Sequence, residues 1–210
     1  MLRYNAREIR GVIMKLSEQK RLQILDAAEE LFHSFGVEHT SMDQLALQAQ
    51  VSKRTVYNHF ATKEQLFQAI LQRMSDKLRQ GGEVQFNPAL PIADQLRRIA
   101  ADEVALLSSE ALLRVAKIAI VQMMKQPELA QTMNDNALGC KRYLADFLQQ
   151  ACQANVLTIA DTVFASQQFV YQLKSFVFYP ALFGLHQASA SELQHIIDET
   201  VAMFLARYGN

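Results

Sequence analysis

The chain has 210 residues, half of them hydrophobic and 20% charged, with 21 basic side chains balanced by 21 acidic ones. That much apolar content supplies a buried core and excludes an intrinsically disordered chain. No run of about 18 apolar residues and no cleavable leader pattern is present, so a soluble, cytoplasmic protein without a membrane partner is expected.

The zero net charge conceals an asymmetry. Residues 1–80 carry 12 Lys/Arg against 9 Asp/Glu, whereas residues 81–210 carry 9 against 12. A basic head therefore precedes an acidic body. Apolar residues recur at helical spacing almost throughout, with only 7 Gly and 4 Pro to interrupt them, so strands are not expected to contribute.

In chain order, Arg3, Arg7 and Arg10 lie in a segment that reads either as a tail of no function, with Met14 as the true start, or as a basic arm adding DNA contacts. Ile24, Leu25, Ala28, Leu31, Phe32 and Phe35 then repeat as one helical stripe, which Gly36 ends as a left-handed C-terminal residue. Thr40 is expected to cap a short second helix, with Asp43 reaching back in a capping box, and Leu45, Ala46 and Ala49 to line its inner face. Val51 plugs the following turn, and Ser52 caps a third helix. On that helix Val56, with Phe60 four residues on, faces the core, leaving Lys53, Arg54, Thr55, Tyr57, Asn58 and His59 on other faces. No carboxylate lies between Asp43 and Glu64, while Lys53, Arg54 and Lys63 do, the local excess that a phosphate-facing surface needs. Thr62 caps a fourth helix predicted from Lys63 to Gln80. Glu64 suits that helix's positive end and Lys63 does not, which suggests an outside anion as the partner of Lys63.

After Gly81-Gly82 a linker with two prolines leads to a predicted helix at 92–107, with Leu96, Ile99, Ala100, Val104 and Leu107 inward. Further helices are predicted at 111–125, at 127–133 and at 136–154, the last carrying Cys140 and Cys152 about 18 Å apart at ~1.5 Å rise per residue, too far for a disulfide. A loop at 156–161 precedes two long helices at 161–179 and 191–208 with wide apolar stripes. The longest apolar run, Phe176 to Leu185, contains Pro180 and reads as core.

Taken together, Ile24-Leu-Asp-Ala-Ala-Glu-Glu-Leu-Phe32, Phe35-Gly36, Thr40-Ser41, Val51-Ser-Lys-Arg-Thr-Val-Tyr-Asn-His-Phe60 and Thr62-Lys-Glu-Gln-Leu-Phe67 resemble the TetR family of one-component transcriptional repressors over roughly the first third of the chain. The resemblance implies an all-α fold: an N-terminal three-helix helix-turn-helix head followed by a helical ligand-binding and dimerisation body. Residues 1–14 would be a basic extension, 15–80 the DNA-binding domain with its connecting helix, and 81–210 the body. It implies that Thr40, Ser52, Tyr57, His59 and Lys63 hold phosphates of double-stranded DNA, while Lys53, Arg54, Thr55 and Asn58 lie nearest the base edges. It implies a homodimer through the last two long helices, with Phe169, Leu173, Val177, Ile197, Val201 and Phe204 in the interface, reading a palindromic operator. It also implies a small-molecule inducer held between the middle helices, where Met123, Met124, Met133, Phe147, Phe164, Tyr171 and Phe176 offer adaptable apolar surface.

The expected function is a ligand-responsive repressor released from its operator by an apolar small molecule. The alternative is a helical small-molecule-binding or structural protein with a vestigial head. No cofactor is expected, and the five His have no metal-ligand spacing. No catalytic motif supports an enzyme.

Overall fold

The computed structural model describes residues 6–79, 83–126 and 139–210. Their regular structure is helical, apart from one isolated antiparallel bridge between Leu157 and Gly209. The chain divides into two compact units, Met1–Arg73 and Met74–Asn210.

The first unit holds α1 (Ala6–Phe35), α2 (Met42–Gln48), α3 (Lys53–His59) and the greater part of α4 (Lys63–Arg79). Residues 6–14 form part of α1, whereas residues 1–5 lie outside the described residues. Ile24, Leu25, Ala28 and Phe32 of α1 meet Leu45, Ala46, Ala49, Val56, Phe60, Leu66, Phe67 and Ile70 in one core. Phe35 is not part of it and is exposed, because the chain turns away one residue later. Gly36 has φ +82° and its N–H donates to the Phe32 carbonyl at 2.9 Å, so Val37 takes the buried place that Phe35 was expected to fill. Arg73 of α4 pairs with both Asp26 and Glu29 of α1, tying the first helix to the fourth.

The cap of α2 is one residue later than expected. Ser41, not Thr40, accepts the Gln44 N–H at 3.1 Å, and the Gln44 side chain accepts the Ser41 N–H at 2.7 Å, closing a reciprocal capping box. Between α2 and α3, Gln50 takes φ 54°, and the Val51 N–H donates to the Ala46 carbonyl at 3.0 Å. A left-handed non-glycine residue thus makes the tight turn that separates the two short helices.

The second unit contains α5 (Ile92–Leu107), α6 (Glu110–Lys125), a 3₁₀ turn (Gly139–Arg142), α7 (Leu144–Gln153), α8 (Thr162–Leu173), a π-helical segment (Lys174–Phe178), α9 (Tyr179–Leu182) and α10 (Ala190–Tyr208). The predicted helix at 127–133, Met133 and the Gly81-Gly82 stop lie outside the described residues. Gln95, buried on α5, holds the preceding connection: it accepts the Asn87 N–H at 2.9 Å and donates to the carbonyls of Asn87 and Leu90 at 2.9 and 3.0 Å. A buried amide with this many partners fixes the linker without leaving an unsatisfied group.

Three expectations about the body need correction. From Gly139 on, the helix expected over 136–154 is a 3₁₀ turn followed by α7, so Cys140 and Cys152 occupy separate elements, and both are free thiols. The helix expected to run unbroken to Tyr179 changes register at Lys174. Pro180 has no N–H for the carbonyl four residues back, and the chain widens so that the Tyr179 N–H reaches the Lys174 carbonyl, five residues away. Finally, Phe176 to Leu185 is not core as a whole: Val177 and Leu182 are buried, but Phe176, Tyr179, Phe183 and Leu185 are exposed.

Phe169, Leu173, Val177, Ile197, Val201 and Phe204, expected at an interface, are all buried within this single chain. The reason is geometric: α10 packs on both α5 and α8, so its apolar stripe is consumed internally. Phe169 and Phe204 meet edge to face with ring centres 5.3 Å apart, a favoured geometry for aromatic quadrupoles. Phe147 is likewise core, edge on to Phe86 at 5.6 Å.

Candidate DNA-binding face and body cavity

The third helix owes its start to Ser52, whose Oγ accepts the Thr55 N–H at 3.1 Å and lies 2.8 Å from Thr55 Oγ1. Val56 is its buried residue. Around that single anchor Ser52, Lys53, Arg54, Tyr57 and Asn58 are exposed, and Thr55 and His59 are half-buried. The seven-residue helix thus points most of its side chains outward, with Phe60 sealing its C-terminal end under the Arg21 guanidinium, 5.5 Å from the ring centre.

Three of the expected DNA contacts, Thr40, Lys63 and Lys53, have partners within the protein. Thr40 is only 2% exposed. Its hydroxyl donates to the Gly36 carbonyl at 2.9 Å and points toward that of Leu31 at 3.4 Å, so it staples the turn after α1 instead of facing outward. Lys63 donates to the carbonyls of Val37 and Glu38 at 2.9 and 3.0 Å, which supplies from within the protein the partner expected from outside. An ammonium has three N–H donors, so these two bonds leave one for an anion. Lys53 pairs with Asp43 at 2.8 Å, and that hydrogen bond and charge raise its pKa above the usual lysine value. Both partners are solvent-exposed, and such a pair exchanges readily for another anion. Thr62 caps α4 as expected, its Oγ1 accepting the Gln65 N–H at 3.2 Å. Hydrogen bonding at this helix start also holds the Glu64 carboxyl below its usual range.

The body contains a cavity of about 280 Å³ lined among the described residues by Met74, Glu103, Leu106, Leu107, Leu112, Ala116, Ala119, Ile120, Met123, Lys174, Phe178 and Tyr179. Of the described residues expected to line a pocket, only Met123 lines this cavity. Phe147 is in the core, while Met124, Phe164, Tyr171 and Phe176 are exposed. Glu103 and Lys174 were missed, although Glu103 interrupts the apolar stripe of α5 between Ala100 and Leu107 and so signalled a buried charge.

Glu103 is 3% exposed and accepts the Cys140 N–H at 2.8 Å. Burial pushes the Cys140 thiol well up, reinforced by the charge of Glu103 and a hydrogen bond to it. Burial also pushes the Tyr143 phenol up to about 12, with Cys140 the next cause. Lys174 is lowered from the usual lysine value by desolvation, against the opposing pull of Glu103. Among the described residues no His/Cys/Asp/Glu group could hold a metal ion, and no helix is long and apolar enough to cross a membrane.

Residues 24–70 match the model for bacterial regulatory proteins of the tetR family, and residues 94–210 match that for the C-terminal domain of AefR-like transcriptional repressors. A TetR family transcriptional regulator from Pseudomonas syringae pv. tomato str. DC3000 superposes with a TM-score of 0.78 at 32% identity, covering 91% of this chain and 97% of that one. A second structure, a putative TetR-family regulator from Mesorhizobium loti MAFF303099, gives a TM-score of 0.78 at 25% identity over 92% of this chain and 98% of its own. Among curated proteins, the uncharacterized HTH-type transcriptional regulator YhgD of Bacillus subtilis strain 168 is 34% identical over 83 residues, which is 40% of this chain and 44% of the relative. The chain thus spans less than half the length of that curated relative, and the aligned part is shorter still, at 29%, for the transcriptional activator FasR of Mycolicibacterium smegmatis. The family models cover the head and the whole packed part of the body, and the chain belongs to the TetR family of DNA-binding transcriptional regulators.

Proposed function

We propose that the protein is a homodimeric repressor that binds a palindromic operator and releases it when an apolar small molecule enters the body cavity. The observation that carries the DNA-binding part is the composition of α3, a capped helix with one buried residue and six outward or half-outward polar and aromatic ones. Such a helix contributes little to its own unit's core and is available to a major groove. Arg54 and Asn58 stand nearest the base edges in this reading, together with Lys53 and Thr55. Ser52, Tyr57, His59 and the remaining donor of Lys63 hold phosphates. Thr40 acts only by fixing the turn before α2.

A second copy is required because one short helix reads few base pairs, whereas two placed about 34–36 Å apart read an inverted repeat. The exposed aromatic surface of Phe176, Tyr179 and Phe183, with Tyr179 and Phe183 stacked at 6.5 Å, supports an interface there. The match of the body to AefR-like repressors supports repression over activation. A ligand acts only through its different affinity for two conformations, and a ~100-fold loss of operator affinity corresponds to about 2.7 kcal/mol of coupling. A vestigial head is not favoured, since α3 retains its cap and its outward cations.

Selecting bound sites from random duplex DNA tests this reading. An inverted repeat is expected. Tyr57→Ala is expected to weaken binding to all sequences alike, and Arg54→Ala to relax preference at one base pair per half-site at a cost of about 1–3 kcal/mol. Enrichment of no duplex at all, or of a single unrepeated half-site, would overturn it.

A further inference from the structure

The cavity in the body is not uniformly apolar, and its two charged walls are not equivalent. Glu103 already receives the Cys140 N–H at 2.8 Å and the Cys140 thiol, so its carboxylate is occupied by the protein itself. Lys174 is in the opposite condition. Its Nζ lies 5.9 Å from the Tyr171 ring centre, at the outer limit of a cation–π contact, and among the described residues it donates no hydrogen bond. Its charge is partly desolvated while its three donors have no acceptor among the described residues.

The backbone explains why this lysine reaches the cavity. In an α-helix, residues five apart diverge to different faces, but the π-helical turn that closes Tyr179 N–H onto the Lys174 carbonyl brings Lys174, Phe178 and Tyr179 onto one side. All three line the cavity. Among the described residues the rest of the lining, from Met74 and the α5 and α6 residues Leu106 to Met123, carries no side-chain nitrogen or oxygen to offer a ligand.

From this arrangement we infer that the cavity selects an apolar molecule bearing one anionic oxygen, a carboxylate or a phenolate, seated against the Lys174 ammonium with its hydrocarbon or ring on the α5 and α6 wall. The inference rests on the reading of the body as a ligand receptor. A cationic ligand would meet the same ammonium as a like charge and would find the Glu103 oxygens already in use. A neutral one would leave the desolvated ammonium with only the Glu103 charge opposite it and no acceptor for its donors among the described residues. No covalent step is involved.

Titration calorimetry on the full chain tests it with decanoate, 1-decanol and decylamine, and in a second arm with ionised 2,4,6-trichlorophenol and its methyl ether. At least one acid is expected to bind ten times or more tighter than its neutral counterpart and than decylamine, and whichever acid does so identifies the source as alkyl carboxylate or phenolate. Lys174→Met is expected to lose that tenfold preference while still binding the neutral partner, which also reports that the cavity is intact; Lys174→Arg is expected to restore it. If the neutral compounds or the amine bind as tightly as the acids, or Lys174→Met keeps the preference, the assignment to acids is overturned and the receptor reading stands. If none of the five compounds binds, the receptor reading itself falls.

Discussion

Two buried threonines, one in each unit, are expected to respond to the same substitution with opposite signs. Thr40 and Thr200 are 2% and 1% exposed, so neither hydroxyl is served by bulk water. Thr40 Oγ1 donates to the Gly36 carbonyl at 2.9 Å, whereas Thr200 Oγ1 has no partner among the described residues. Thr→Val keeps the shape and replaces the hydroxyl by a methyl group. At Thr40 it removes a net bond of about 1 kcal/mol and leaves the Gly36 carbonyl short of a donor, partly offset by burying a methyl group in place of a hydroxyl. A loss of about 1 kcal/mol results. At Thr200 the wild-type chain already bears the cost of an unpaired buried hydroxyl, about 1–3 kcal/mol, and valine relieves it, so a gain of about 1–2 kcal/mol is expected. Amide hydrogen exchange resolves the two sites: opening free energies should fall around the α1–α2 turn in Thr40→Val and rise along α10 in Thr200→Val. The salt dependence of operator binding separates the readings of Thr40, because a residue that staples a turn leaves the slope unchanged, while loss of one phosphate contact reduces it by about 0.9. Unchanged protection at the turn together with a shallower slope would refute the hydrogen-bond accounting.

Phe183→Asp, at an exposed aromatic that stacks on Tyr179, is expected to convert the proposed dimer to monomer in sedimentation while leaving the helical circular dichroism signal intact; a dimer that persists in this variant would place the interface elsewhere. The affinity of decanoate is expected to depend on pH through Lys174, which faces Glu103, Lys141 and Cys140 across the packed elements and has a value below the ordinary 10.5. The sign follows from linkage: decanoate prefers the protonated amine and stays ionised itself, so affinity is full below the lowered lysine value and declines as pH rises through it, before an ordinary lysine would titrate. Calorimetry at increasing pH that shows constant affinity up to 10.5 would exclude Lys174 as the recognition group.

Head and body differed in how far their sequences disclosed them, and the difference has a physical origin. In the head, short helices are bounded by strong local signals: Gly36 ends α1, Ser52 starts α3 and Thr62 starts α4, each through a contact within a few residues. Thr40 and Ser41 show the limit of that method, since adjacent residues can both cap and only the tertiary fit of Thr40 beneath Gly36 decides between them. The face of α3 was legible because a seven-residue helix with one buried position leaves little ambiguity.

In the body, burial is settled by neighbours distant in sequence. Phe169 and Phe204 belong to one core because α10 packs on α8 and α5, which no local pattern encodes. Periodicity found the apolar stripes of both helices but could not say whether they close on the same chain or on another one. The π-helical turn is the sharper case. Pro180 announced a disturbance, yet not that it would be absorbed by widening the helix instead of ending it, and that choice carries Lys174 to the cavity with Phe178 and Tyr179. The family resemblance implied a pocket that includes Phe164, Tyr171 and Phe176, which are exposed, whereas Lys174, Phe178 and Tyr179 line the cavity. One hydrogen bond made to the fifth residue instead of the fourth therefore sets a cation beside two aromatics on the cavity wall.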